Sequence, residues 1–573
     1  MANHIFIESG SFTEFGGWVL DTQFIPNMGS AYLLAHGLGK PVAPAKTAVA
    51  IPEAGEYVLW AFTRDWAAPW KQGVAPGRFR VRVNSADSGV LGDENAAWHW
   101  QKAGVFDLQR GETAVELHDL TGFEGRCAAL CFTSDAAFTP PDDIASLDEF
   151  RRSCNGFAEI RGGGMYDLIV AGGGYAGMCA AVSAARRGLS VALVQDRDVV
   201  SGNNSSEVRV WTGGEIGFEP FPKAGAITAE FECEKRAHYG SGNTGDLYED
   251  EKKLAILQAE PNIRLFLGHS FVDAEMEGER IASAVVMDVR TGERIRLTAP
   301  LFADCTGDGA LGAAASADFE VTTNGHMGMT NCWHIRETSE KQAFPRCPWA
   351  IDLSKCQFPG RGMTKSIYGS MRETAFGGWF WESGMEHNPI TMAEYARDTN
   401  FRAMYGAWDC VKNVDQDYDN YELSFAAYIG GKRESRRLFG DLILTKADVS
   451  KGTVFPDALI PTTWNFDVHY PDKRFYAAFH EGDGFLTRDY HENFKKPYFV
   501  PYRVLYSRNI TNLFMAGRNV SVSHDALGTV RVMRTCGVMG EVVGAAASLC
   551  KEHGTNPRGV YESYLEALLA MFR

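Results

Sequence analysis

The sequence predicts an α/β domain of Rossmann-like type, interrupted by an α+β insertion and preceded by an all-β sandwich. Three observations predict it. A strand, a glycine-rich turn and a helix follow one another in "YDLIVAGGGYAGMCAAVSAARRG", from Tyr166 to Gly188. The chain before that stretch reads as short strands separated by turns, with no competing helical period. An aromatic-rich segment separates two groups of strand and glycine signals farther along.

The chain has 573 residues, 45% of them hydrophobic. A single core stops growing near roughly 250 to 300 residues, so two or three domains are expected. A net charge of -16 and a pI near 5.4 argue against nucleic acid or an anionic membrane as partner, since both want a basic face. Small molecules or glycans are the expected partners, and homo-oligomerisation is left open. "MANHIFIESGSFTEFGG" has no basic stretch followed by an apolar run, and no later segment reaches the roughly 18 uncharged apolar residues of a membrane span. A soluble, cytoplasmic chain is expected, or a periplasmic or secreted one if a leader has been removed. Twelve cysteines are scattered. The pair Cys127 and Cys131 has the wrong spacing for a CxxC redox or zinc motif, so buried thiols and no metal site are expected.

In residues 1–150, "EYVLWAFTRD" from Glu56, "GRFRVRVN" from Gly77, "TAVELHDL" from Thr113 and "CAALCFTSD" from Cys127 show partial period-two alternation. "NSADSG" and "QRGE" supply turns, and an antiparallel sandwich ending near Phe138 to Asp143 is expected. Six of the thirteen tryptophans fall here: Trp18, Trp60, Trp66, Trp70, Trp98 and Trp100. Core or interdomain packing is the reading that aromatic burial favours, with a stacking platform for sugar rings beside it. "GRFRVRVN" and "VELHDLTGFEGRCAALCFTSD" resemble, in strand and turn style, the jelly-roll, galactose-binding-like modules attached to carbohydrate-acting enzymes.

Residues 161–319 and 501–573 are expected to form the dinucleotide-binding domain. Gly172 permits the tight turn, Gly174 lets backbone approach a diphosphate, and Gly177 allows close helix packing. Tyr175 and Ala176 are cofactor-binding candidates between the glycines, and "MCAAVSAARRG" then reads as a helix ending at Gly188 whose N-terminus faces the phosphates. A second match to the pattern, "GSGNTG" from Gly240 to Gly245, has no strand before it and reads as a loop. The second strand, "SVALVQD", ends on Gln195 and Asp196, where an acidic residue ordinarily grips the ribose. Gln195 can bond a hydroxyl and Asp196 can reach it instead.

Strand signals continue from "NIRLFLG" through "RIASAVVMDVR" into "LFADCTGDGALG", and the C-terminal part carries "NLFMAGRNVSVSHDALGTVRVMRTCGVMGEVVGAAASL". This order of parts resembles the two-dinucleotide-fold FAD enzymes of glutathione-reductase type. More closely, "QDRDVVSGNNSSEVRVWTGGE", "GKRESRRLFGDLILTKAD" and "FVPYRVLYSRNITNLFMAGRNVSVSHDALGTVRVM" resemble the FAD-dependent oxidoreductase group, sometimes labelled xanthan-lyase-like, whose members are associated with polysaccharide use. The resemblance spans most of Met165 to Arg573 and implies FAD. It implies FAD contacts from Thr306, Gly307 and Asp308 at one strand end and from Gly517 and Arg518 at another. It also implies that Ser201, Gly202, Asn203, Asn204 and Ser205 reach toward the flavin, a stretch that reads equally as an ordinary polar turn. Gly537, Val538, Met539 and Gly540 are expected to open the last helix, where amides stabilise charge on a reduced flavin and glycines serve packing.

Flavin supplies a two-electron hydride transfer, and the protein supplies orientation and a proton carrier. His524 in "SVSHDALG" is the acid/base candidate, because an unperturbed pKa near about 6.5 suits proton removal. His326, His334 and His469 compete with it. Among Arg531, Arg534, Arg503, Arg436 and Arg437, the first two are assigned to FAD or substrate, since Arg binds carboxylates in a planar, bidentate manner. "RESRR" with Glu434 can form a salt-bridged structural cluster, the reading favoured for Arg436, and arginines of this set can instead contact FAD phosphates.

Residues 320–500, with "GGWFWESG" and "WNFDVHYPDKRFY", are expected to form the substrate cap. Trp379 and Trp381, two apart, would share one face of a strand. No P-loop, HExxH, GxSxG or second credible dinucleotide fingerprint is present, so an external electron acceptor of unknown identity is expected. The expected function is FAD-dependent oxidation of a secondary hydroxyl of a sugar, glycoside or uronate. The alternatives are reduction or desaturation of an unsaturated carboxylate, and glycan binding by a protein with non-catalytic FAD.

Overall fold

Apolar runs too short for helices and bounded by turns give parallel strands buried on both faces. Five such strands lie side by side in the order Ile263–Leu267, Val191–Gln195, Leu168–Ala171, Leu301–Asp304 and Leu513–Met515 in the computed structural model. All neighbouring pairs are parallel, and all but the edge strand Ile263–Leu267 are buried throughout. In chain order this is 3-2-1-4-5. The progression therefore reverses between Leu168–Ala171 and Leu301–Asp304, the crevice where open α/β sheets bind ligands. The structure describes residues 3–237, 240–362, 372–472 and 484–573.

One face of this sheet is covered by the helices Tyr175–Ala185 and Met533–His553, which share a core with Leu168, Val170, Leu193, Ala303 and Phe514. The helices meet closely because Gly540 and Gly544 carry no Cβ, which would stand 2.0 Å from the Ala176 carbonyl oxygen and 2.5 Å from that of Ala180. On the other face, Ile169, Val194 and Phe302 share a core with Ile281, Ala284, Val286 and Leu297. Those residues come from a four-stranded sheet ordered Arg161–Met165, Arg294–Thr298, Arg280–Asp288 and His269–Glu277.

The N-terminal strands form two four-stranded antiparallel sheets. One holds His4–Glu8, Ala129–Thr133, Gly55–Thr63 and His99–Leu108; the other holds Ala45–Ile51, Gly111–Asp119, Phe79–Val83 and Ala86–Asp87. Alternation turns Phe79, Val81 and Val83 inward, where they share a core with Ile7, Leu59, Leu130 and Phe132 of the opposite sheet. Trp18 belongs to that core, and the Trp100 indole donates to the Pro141 carbonyl. Trp66 packs with Trp349 and Tyr405, Trp70 donates to the Tyr395 hydroxyl, and Trp98 donates to Glu394. Packing accounts for these five tryptophans, three of them against the insertion.

The insertion's long helix, Ala393–Asp409, meets the sandwich through charge. Fully buried Arg126 is bidentate to Asp398 at 2.6 and 3.0 Å and reaches Glu394 at 2.7 Å. Arg397 donates to Asp21 and to the Tyr32 hydroxyl, both at 2.7 Å. Farther along, Leu459, Phe466, Val468, Tyr498 and Val500 join the core of the sheet's helices instead. Residues 473–476 of "WNFDVHYPDKRFY" lie outside the described residues.

All twelve cysteines are free thiols. Among the described residues no single helix is long and apolar enough to cross a membrane. "GSGNTG" is a loop running into a short 3-10 turn, Gly245–Tyr248. The helix expected to be the last differs from expectation: it starts at Met533, four residues before Gly537, Val532 caps it without a side-chain bond, and Pro557–Ser563 and Leu565–Ala570 follow it. A start with no Ser, Thr, Asp or Asn leaves no capping signal in the sequence. Gly537 therefore lies inside the helix, where a Cβ would collide with Thr228 at 2.5 Å.

Candidate active site

The glycine turn is built by close backbone approach. Gly172 has φ of 100°, and a Cβ there would sit 2.4 Å from the Cys305 carbonyl oxygen; at Gly177 one would sit 1.8 Å from the Gly172 oxygen. Only glycine fits either position. Gly174 differs, because a Cβ on it would meet nothing within 4 Å. It precedes Tyr175 and Ala176 in an extended conformation with no side-chain cap, which leaves helix amides open to an anion.

Gln195, a ribose candidate, is engaged with the turn itself. Its carboxamide oxygen accepts from the Gly173 amide at 2.8 Å and its nitrogen donates to the Val199 carbonyl at 3.0 Å, so it braces the turn. Asp196 accepts from Thr22 of the sandwich at 2.9 Å.

The loop from Ser201 lies against the same turn. The Ser201 amide donates to the Gly173 oxygen at 2.7 Å, and a Cβ on Gly202 would be 3.3 Å from the Gly174 Cα. Its polar groups are bonded locally: Ser205 to the Gly202 carbonyl, Asn204 to the Val210 carbonyl, and the Asn203 carbonyl to the Val210 amide. Buried Lys253 donates twice to Asn204 at 2.6 Å, and burial pushes its ammonium pKa down. These local bonds fix the loop, and its backbone adjoins the cradle.

At the next strand end, Asp304 accepts from the Thr306 amide and hydroxyl, and Gly307 takes φ of 73° against the Arg518 guanidinium. Asp308 is held by Lys432 at 2.6 Å, Arg518 at 2.7 Å and Ser435 at 2.9 Å. Burial opposes ionisation there, but the two cations overcome it and hold the carboxyl well below the usual range. Gly517 would place a Cβ 3.7 Å from that of Ala176, so Arg518 stands beside the glycine turn. Arg518 Nη1 and Asn519 Oδ1 are buried without partners. An open space at an uncapped helix N-terminus, bordered by these orphaned atoms, fits FAD: Gly172 to Gly177 would hold the diphosphate and Arg518 would meet it or the flavin.

A charged wall faces this region. His524 opens the short helix His524–Val530 and sets Nδ1 2.8 Å from Glu434 Oε2. Glu434, 1% exposed, also accepts from the Met327 amide and from Arg437. The hydrogen bond to Glu434 raises the pKa of His524 against the opposing effect of burial. No residue among those described bonds His524 Nε2. A second carboxylate, Glu382, is met by His469 at 2.7 Å, Thr487 at 3.0 Å and Arg433 at 3.0 Å. Burial opposes its ionisation, yet Arg433 and His469 lower its pKa to about 2. Asp467 stands 3.0 Å from His469 Nε2 and accepts from Trp464 and, at its backbone oxygen, from Arg531 at 3.1 Å. Arg531 is pushed down by burial and keeps an unpartnered Nε.

The segment "GKRESRR" from Gly431 joins wall to cradle. Lys432 and Ser435 hold Asp308, Arg433 meets Glu382 and Glu434 meets His524. Arg436 donates to the Asp308 carbonyl, and Arg437 pairs with Glu434 and Glu320. Arg436 and Arg437 are thus both engaged within the protein, and Glu434 also serves His524, which its salt-bridge pattern concealed. Glu382, Arg433 and Asp467 lie in stretches singled out for their tryptophans and for other arginines, and folding alone brings the three together. Arg503 pairs with Asp457. Arg534 parts company with Arg531: it is bidentate to Glu232 and donates to the Gly214 carbonyl. It lines a cavity of about 250 Å³ with Asn204, Trp211 and Tyr248. Trp379 and Trp381 do not share a face. Trp379 lies in a turn against Trp211 and under the Arg433 guanidinium, whereas Trp381 is buried against Trp333 and Phe485. His334 is buried beside Phe425, and burial pushes its pKa down to about 3.

A family model described as FAD dependent oxidoreductase matches residues 167–569. No curated protein matches the chain. Among solved structures it is similar to the Mycobacterium smegmatis Sdh1 complex in the apo form, at 13% identity over 69% of this chain and 69% of that one, with a TM-score of 0.32. It is also similar to an E. coli quinol fumarate reductase FrdA, at 10% identity over 70% and 74%, with a TM-score of 0.31. A family 35 carbohydrate binding module from Clostridium thermocellum matches at 18% identity over 23% of this chain and 97% of that one, with a TM-score of 0.19.

Proposed function

We propose a reaction from the premise that this chain belongs to the FAD dependent oxidoreductase family and is an enzyme that uses FAD: it oxidises a secondary hydroxyl of a sugar, glycoside or uronate. The observation that carries this reading is the His524–Glu434 pair with Nε2 left open. With Nδ1–H donated to Glu434, the lone pair sits on Nε2, the tautomer a general base requires. Glu434 then stabilises the imidazolium as the hydroxyl proton arrives. Bound in the cradle, FAD supplies the acceptor for the carbinol hydrogen and its electron pair. Arg531 offers its unpartnered Nε to a carboxylate, which suits a uronate and orients it by a charge-assisted hydrogen bond.

The same arginine favours a second reading, reduction or desaturation of an unsaturated carboxylate. Anaerobic rapid mixing separates them. Bleaching of the oxidised flavin by neutral sugars, uronates or glycosides supports alcohol oxidation, and no bleaching by any of them overturns it. Reoxidation of dithionite-reduced protein by enoates, with keto-sugars inert, supports the second reading.

A further inference from the structure

We propose that His326 is a second catalytic residue, an imidazole that hydrogen-bonds the reacting oxygen of the substrate while His524 takes the proton. The inference rests on the alcohol-oxidation reading. Its geometric basis is a shared carboxylate oxygen: Glu434 Oε2 accepts from His524 Nδ1 at 2.8 Å and from the Met327 amide at 3.0 Å. The backbone that carries His326 and the ring of His524 therefore stand on one anchor.

That backbone is fixed. Gly325 donates to the Met385 carbonyl at 2.8 Å, and the Arg433 amide donates to the Gly328 carbonyl at 3.1 Å. A Cβ on Gly328 would lie 2.3 Å from the Ser383 oxygen. Just beyond it, Met329–Thr330 is paired with Glu382–Ser383 on one side and Gly431–Lys432 on the other, which fixes the backbone that positions the imidazole.

The ring is 2% exposed, and its Nδ1 is buried with no partner. The groups facing it are Glu434, Glu382, His524 and His387; burial outweighs the two carboxylates and pushes its pKa down, so it is uncharged at neutral pH. An uncharged imidazole offers one N–H and one lone pair. Buried polar groups of this kind are matched in folded proteins, so a bound group is the expected partner. Beside a base, that group is a hydroxyl on its way to a carbonyl. Its O–H proton goes to His524 Nε2 and the new C=O accepts from His326 N–H, while bound FAD would supply the acceptor for the C–H hydrogen and its electron pair.

The test uses full-length, FAD-loaded His326→Gln and His326→Ala, with methyl β-D-glucopyranoside and D-glucuronate as probes. Removing one donor to a developing oxyanion typically costs about 100 to 1,000-fold in rate. Flavin reduction should fall by about that factor in His326→Ala and less in His326→Gln, with FAD absorbance retained and the pH dependence due to His524 intact. Independently of turnover, the His326 ring nitrogen resonance of dithionite-reduced wild type should shift when a probe is added. Wild-type rates in both variants, an unmoved resonance, or loss of FAD from both variants would overturn the proposal. If neither probe bleaches wild-type flavin, the parent reading fails at its own step, before the variants are compared.

Discussion

The insertion makes two buried charged contacts, and they differ in completeness. At the seam with the sandwich, all six carboxylate oxygens of Asp21, Glu394 and Asp398 accept hydrogen bonds, from Gln23, Tyr32, Arg64, Trp98, Arg126 and Arg397, and the atoms left without a partner are the guanidinium Nε of Arg64 and of Arg126. At the wall facing the cradle, Glu382 Oε1, His326 Nδ1 and Arg531 Nε have no partner. Burial of charge is common to both. A buried cluster whose carboxylates are all matched fixes two bodies together, whereas one that also leaves a carboxylate oxygen and an imidazole nitrogen unmatched is shaped for something that binds.

The sharpest way to break this comparison is to remove the base. His524→Ala should lower flavin reduction by about 100 to 10,000-fold, the usual worth of a general base. FAD content should not change, because no atom of His524 contributes to the glycine turn. A mutant that reduces flavin at the wild-type rate would remove the wall from the chemistry.

At the seam the effect should fall on stability. Asp398→Ala leaves Arg126 with Glu394 as its remaining carboxylate, and breaking a buried pair from one side costs about 3–5 kcal/mol. The thermal midpoint should fall accordingly, while flavin reduction per bound FAD stays at the wild-type value. Lost activity at unchanged midpoint would mean that seam and wall are one functional unit.

What the sequence made legible follows the range of the forces involved. Leu168–Ala171, Gly172, Gly177 and Tyr175–Ala185 are set by contacts between near neighbours in sequence, so strand, turn and helix could be read in order. The sandwich strands were legible through alternation, as in Phe79, Val81 and Val83. Gln195 was recognisable as a departure, but its role as a brace depends on Val199 and Gly173 meeting in space. The wall was mostly illegible. His524 stood out by position, yet its partner Glu434 is 90 residues away, and Glu382 and Asp467 sit on short strands with no periodic signal. The helix start at Met533 was missed because Val532 offers no cap.

A finer cut separates Glu434 from His524. Glu434→Gln keeps an acceptor oxygen but removes the carboxylate charge that raises the His524 pKa, with Asp525, Arg437 and His326 left facing the ring. The base works unprotonated, so wild-type rates should rise as pH passes upward through the raised value. In the variant that rise should move to lower pH, with a lower plateau because the imidazolium loses its support. Stability follows the opposite sense. The raised pKa contributes stability fully present below about 6.5, the unfolded value, and lost as pH rises through the folded one. The midpoint difference between wild type and variant should therefore be larger at acidic than at alkaline pH. A rise at the same pH in both proteins would show that His524 owes nothing to Glu434.

The smallest effect is at the edge of the seam, where it tests packing against a sugar platform. Half-buried Trp70 donates to the Tyr395 hydroxyl at 3.0 Å, with the two rings 4.6 Å apart and the Arg402 guanidinium 4.4 Å above the indole. Trp70→Phe keeps an aromatic ring and deletes the N–H, so the loss should be about 0.5–1.5 kcal/mol, the net worth of one hydrogen bond. That is well below the cost of stranding Arg126, because no charge is left unpaired. If the ring's work is packing, retention of the chain in glycan-containing gels should be the same for Trp70→Phe and wild type, with only the thermal midpoint lowered. A variant with an unchanged midpoint and weakened retention would make Trp70 a stacking surface for sugar, and the seam would no longer be the closed half of the comparison.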